Sequence, residues 1–211
     1  MATSATSADF EIVTSDRSLG RNMPQQIGRK LWLPMWLMAG MAFAVGFGLA
    51  VVRAGEIADG GAADTIMALR HSVAGFMFIG FASVFAAISF AIARILGEFR
   101  AGGGELQEAT GRHVRTLKMP ITAKLFIITM AMAMMAIIAT VVLHFVFAAD
   151  VTNTAASLET AEQRFVVLEG VRRIGVAVYL VSFLLGLGTI IEVLRFQAIR
   201  IRELAGEAVA S

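Results

Sequence analysis

The chain has 211 residues, of which 57% are hydrophobic and 16% charged, with a mean hydropathy of +0.75; soluble domains carry roughly a quarter charged residues. The absence of Cys excludes disulfide frameworks, thiolate metal sites, Cys-ligated iron–sulfur clusters, thioether-attached haem and cysteine nucleophiles. Lys and Arg total 18 against 16 acids, a balance whose informative feature is its distribution along the chain, and no nucleic-acid partner is read from it.

Residues 1–29 are predominantly polar and are expected to form a mobile cytoplasmic leader. The first apolar run covers about 31–52 and matches the roughly 20 residues that cross about 30 Å of hydrocarbon. Trp32 and Trp36 suit the headgroup belt, and Pro34 sits in the first turn of this run, where its missing N–H costs little. The run is too long for a signal-peptide core and lacks a small-residue cleavage site, so it is read as a retained span. Its Gly40, Gly46 and Gly48 permit close helix contact.

Asp64 is a candidate N-cap for a helix running into the second span, about 72–93. In the connection that follows, Gly102 to Gly104 read as a hinge, and His113, flanked by Arg112 and Arg115, reads as solvated loop. The third span, about 125–149, holds Met130, Met132, Met134 and Met135, whose mixed spacing suits adaptable packing better than soft-metal binding. Lys124-Leu-Phe-Ile here echoes Lys30-Leu-Trp-Leu at the first span, a candidate internal repeat.

Leu158, Ala161, Phe165 and Leu168 recur at helical spacing and predict a short amphipathic helix on the outer mouth, able to cover a site. The fourth span covers about 174–194, and its helix is expected to continue through Arg195, Arg200 and Arg202, which an anionic membrane surface or acidic partner would attract. The domain plan is therefore a leader, a transmembrane domain over 30–204 and a cytoplasmic tail at 205–211.

The Lys and Arg residues divide by span. Arg17, Arg21, Arg29 and Lys30 precede the first, six from Arg94 to Lys124 lie between the second and third, and Arg195, Arg200 and Arg202 follow the fourth. The opposite side holds Arg53, Arg70, Arg164, Arg172 and Arg173, interleaved with acids. Short basic loops resist translocation, so the fold expected is an all-α integral membrane protein: a four-helix bundle in the cell membrane, multi-pass, with both termini cytoplasmic.

Only His71, Arg94, His144 and Glu192 combine ionisable chemistry with a position in or at the edge of a span, where such groups usually face the bundle interior. His71 lies seven residues after Asp64 and His144 six before Asp150, which at about 1.5 Å per residue puts both at similar depth near the outer face. Two facing imidazoles can be the axial ligands of one haem b, with Phe76, Phe78, Phe145 and Phe147 as pocket wall and Arg70, Arg172 and Arg173 for the propionates. The competing reading places both histidines at the interface on carbonyls or water. Arg94 and Glu192, at comparable depth, suggest an ion-pair latch. No catalytic signature is present, so the function expected is a non-catalytic membrane subunit or anchor of a larger complex, with other membrane subunits as partners and one haem b as candidate cofactor for electron transfer. A cofactor-free scaffold or assembly protein is the alternative, and a small transporter, lacking paired broken helices, comes third.

Overall fold

The structure is a computed structural model and describes residues 10–17 and 19–208; the remaining leader and tail positions lie outside the described residues. Its elements are β1 (Ile12–Ser15), α1 (Met23–Ala58), α2 (Ala63–Ala109), β2 (Val114–Leu117), α3 (Ile121–Asp150) and α4 (Ala155–Ala208). All four helices are long and apolar enough to cross a membrane. They also outrun the apolar runs. At about 1.5 Å per residue, the 47 residues of α2 and 54 of α4 extend for about 70 and 80 Å.

The helix ends follow from local chemistry. At the start of α1, Asn22 and Gln25 satisfy each other's backbone: the Gln25 N–H donates to Asn22 Oδ1 (3.1 Å) and the Asn22 N–H to Gln25 Oε1 (2.9 Å). This is a capping box, and it begins the helix inside the stretch read as leader, so that Pro34 lies in the interior of α1 and not in its first turn. At the end of α2, Gly111 adopts φ +70°, the Arg112 N–H donates to the Gln107 carbonyl (3.0 Å) and the Gly111 N–H to that of Glu108 (3.0 Å). That pair of bonds is a Schellman cap, which needs a left-handed residue and so favours glycine.

Gly102 to Gly104 were expected to hinge, yet they lie within α2. Each helical Gly costs about 1 kcal/mol against Ala, but Gly103 has a packing use: a Cβ there would crowd the Arg200 guanidinium, and its carbonyl accepts a hydrogen bond from Arg200. The expected short outer helix is likewise not separate. Residues from Ala155 onward run unbroken into α4, since nothing between Thr154 and the span breaks a helix except Gly170, which a helix tolerates. The fold is also not purely helical: Ile12–Ser15, in the leader, pairs antiparallel with Val114–Leu117 in the loop around His113, with Ile12 opposite Leu117 and Ser15 opposite Val114. Both segments are rich in β-branched residues, and on β2 Val114 and Thr116 turn inward while Arg115 and Leu117 are partly exposed.

By contact density the chain resolves into two units. One contains Trp32–Ile88 and Ile128–Val181; the other contains Met1–Leu31, Ser89–Ile127 and Ser182–Ser211. In the first, small residues admit large neighbours: Gly80 lies under Phe43, Gly75 under Phe145 and Gly175 against Ile137. Tyr179 is fully buried, its hydroxyl donating to Met134 Sδ (3.5 Å), which gives one of the clustered methionines a packing role. In the second, the β1–β2 ribbon packs with helix ends. Here Gly28 is the tightest backbone approach, since a Cβ would lie 2.6 Å from the Phe90 carbonyl oxygen.

That contact yields a test. Gly28→Ala should destabilise the detergent-solubilised protein by about 1–3 kcal/mol, the usual cost of overpacking. Gly40→Ala, which meets nothing within 4 Å, should be neutral or slightly stabilising. Thermal unfolding of the two variants checks the pair.

Candidate functional site

The first unit carries a polar site enclosed by apolar side chains. His71 of α2 and His144 of α3 are 0% and 1% exposed. Their Nδ1 atoms are 3.1 Å apart, with ring centroids at 5.3 Å and planes tilted by 54°. His71 Nε2 lies 3.2 Å from the Ala161 carbonyl oxygen of α4, so the pair joins three helices.

Elimination gives the tautomers. A carbonyl only accepts, so His71 Nε2 carries a proton and donates to Ala161. In a neutral imidazole the other nitrogen, His71 Nδ1, is then an acceptor, and His144 must donate to it from Nδ1. This leaves His144 Nε2 as a bare acceptor, and that atom is buried with no hydrogen-bond partner among the described residues.

Around the pair lies a layered wall. Phe165 is edge-on to both imidazoles, at 5.3 Å from His71 and 5.5 Å from His144; Phe147 is edge-on to His71 at 6.2 Å; Phe78 stacks on His144 at 5.6 Å. Each of these rings also carries a guanidinium: Arg70 over Phe165 (4.1 Å), Arg164 over Phe147 (4.5 Å) and Arg172 over Phe78 (4.6 Å). Cation–π attraction holds the arginines there, and carboxylates hold their other sides. Arg70 pairs with Glu162, Arg164 with Asp150 (2.9 Å), and Arg172 with Glu169 (2.9 Å).

The residues singled out from sequence are distributed as follows. His71 and His144 meet directly, and Arg70 and Arg172 stand one ring away. Arg173 is largely exposed and pairs with Glu169 (3.0 Å). Phe78 and Phe147 touch the histidines, whereas Phe76 and Phe145 meet each other edge to face at 5.2 Å. Phe165 and Ala161 also belong to the site; in the sequence their helical spacing marks an apolar face but not the histidines that it covers. A haem iron between the imidazoles would hold its nitrogens about 4 Å apart, at about 2 Å each, with the porphyrin between the rings. The described pair is instead closed by a hydrogen bond. Among the described residues no group of three or more His, Cys, Asp or Glu could hold a metal ion.

Arg94 and Glu192 belong to the other unit. There Thr189 Oγ1 donates to Thr122 Oγ1 (3.1 Å), which donates to the Glu192 carboxylate (3.2 Å), a chain ending on the one group that only accepts. His113 lies on the surface with its Nδ1 3.1 Å from Asp16 Oδ1, and the exposed Glu11 is held below the usual carboxylate range by its hydrogen bond from Lys118.

No family model, curated protein or solved structure matches this chain.

The site predicts a coupling. Replacing either histidine by Leu strands a buried partner and should cost about 1–3 kcal/mol. The double replacement should cost less than the two single losses together, with an interaction of about 1 kcal/mol in a thermal double-mutant cycle. Additive losses would mean that the two rings do not interact.

Proposed function

We infer that the chain is a non-catalytic membrane subunit or anchor of a larger complex, a four-helix bundle in the cell membrane with both termini cytoplasmic. The observation that carries this reading is the use of the buried histidines: each is engaged by its own chain, His71 by Ala161 and His144, in a cage of Phe side chains. Such a site ties helices together and presents no open face to a substrate. The orientation rests on the Lys and Arg asymmetry. Partner subunits are supported by the outer surfaces of the helices, where large apolar side chains such as Trp36, Met41, Ile174 and Leu184 are exposed. The hydrophobic stretch of α1 is only 17% buried within the chain, leaving its surface for lipid or for another protein. An Arg94–Glu192 latch belongs to the same proposal and is read by the same double-variant logic as the histidines.

The geometry favours the cofactor-free form of this function. A second reading, one haem b between His71 and His144 for electron transfer, is favoured by the bare His144 Nε2 and the surrounding aromatic rings, and requires the Nδ1–Nδ1 bond to open.

Extraction in mild detergent tests both. The protein is expected to leave the membrane colourless and bound to other membrane proteins. A monomer without partners would refute the subunit reading, and a Soret band lost in His71→Ala and His144→Ala would select the haem form. In intact cells a cysteine at Asn153 should react with an impermeant label and one at Ala109 should not; labelling at Ala109 would reverse the orientation.

A further inference from the structure

Beside the β1–β2 ribbon, the unit containing that ribbon holds a cavity of about 120 Å³. Its wall has two characters. Leu96, Phe126 and Val193, from the ends of the apolar runs of α2, α3 and α4, supply apolar lining; Gln25, Thr116, Arg100 and Arg200 supply polar lining, the two arginines lying farther along α2 and α4 than Leu96 and Val193. No Asp or Glu lines it among the described residues.

The two arginines have unequal surroundings. Arg200 is 4% exposed, and its guanidinium donates to Gln197 Oε1 (3.2 Å), the Gly103 carbonyl and Gln107 Oε1, all of them neutral. The neighbouring carboxylate, Glu203, is already paired with Arg115 at 2.8 Å. No hydrogen bond or ion pair joins Arg100 to a described residue, and the Nε atoms of both Arg100 and Arg200 are buried without a partner. A guanidinium withdrawn from water without an anion is costly. Arg200 is in that position; with the half-buried Arg100 on the same cavity and the adjacent Arg115 and Glu203 cancelling each other, the lining carries a positive charge that it does not itself balance.

We propose that this cavity binds the phosphate headgroup of an anionic membrane lipid, with Arg100 and Arg200 holding the phosphate oxygens and the acyl chain leaving along the Leu96, Phe126 and Val193 side. Guanidinium forks match phosphate geometry and form charge-assisted bonds with it. The volume is well below the roughly 300–1,000 Å³ of pockets that enclose whole small molecules, so the cavity takes a headgroup and leaves the rest of the ligand outside. Its apolar side joins the stretches that the membrane assignment places in hydrocarbon, where an acyl chain is at home and a free phosphate gains nothing. The proposal uses that assignment and is independent of the subunit reading.

The test uses the delipidated full-length protein in detergent, titrated with phosphatidylglycerol, phosphatidylcholine or inorganic phosphate while thermal unfolding is followed. Phosphatidylglycerol should raise the unfolding temperature saturably, at a concentration at least about tenfold below that needed for the other two. Arg100→Gln, which removes no hydrogen bond or ion pair to a described residue, should leave the lipid-free unfolding temperature nearly unchanged and weaken the phosphatidylglycerol response about tenfold, the effect of one lost charge-assisted bond. Leu96→Trp, which fills the apolar side, should weaken it with both arginines in place. An equal response to phosphatidylcholine, an equal response to inorganic phosphate, or an Arg100→Gln variant that responds like the parent protein would each overturn the proposal.

Discussion

Lipid offers no hydrogen bonds, so every polar group carried into the apolar stretches must find its partner within the chain. Most do so along their own helix: Ser72 donates to the Ala68 carbonyl, Ser83 to that of Ile79 and Thr140 to that of Ala136. An imidazole cannot be satisfied this way, because its two nitrogens point in opposite directions and only one can turn toward its own backbone. His71 and His144 resolve this by using each other, with the Ala161 carbonyl of α4 accepting from the remaining N–H; both N–H groups are thereby satisfied, and only the unprotonated His144 Nε2 is left without a partner among the described residues. The aromatic cage, and the Arg70, Arg164 and Arg172 side chains outside it, then keep the pair dry.

Much of this was legible in the sequence because it depends on counting along a helix. The four apolar runs correspond to four apolar helices, and the offsets from Asp64 and Asp150 placed two histidines at one depth. What was illegible depends on which of several local signals wins. Three consecutive glycines look like a hinge, but the α2 terminus is set by the single Gly111 at φ +70°, because the cap needs one left-handed residue followed by the right hydrogen bonds. Asn22 and Gln25 form a capping box whose signal is hidden by the polar stretch around it. The strand at Ile12–Ser15 has its partner about a hundred residues away, beyond the reach of any local pattern.

Charge shows the same difference between counting and placement. In the sequence all the basic residues weigh equally as a topology signal. In the structure they separate: Arg21 pairs with Glu98, Arg115 with Glu203 and Arg70 with Glu162, while Arg200 is buried among neutral acceptors. Phe165 illustrates the point for apolar residues, since its helical spacing announced a buried face and only the fold tells that the face covers two imidazoles.

The central claim, a direct hydrogen bond between two neutral buried imidazoles of opposite tautomer, is open to nitrogen NMR on protein labelled with 15N-histidine and reconstituted in bilayers. A His113→Gln background leaves only the two resonance sets of interest. The account predicts one ring protonated at Nε2 and the other at Nδ1, with a coupling across the hydrogen bond between the two Nδ1 atoms. Two rings of the same tautomer, or rings exchanging freely with water, would contradict it.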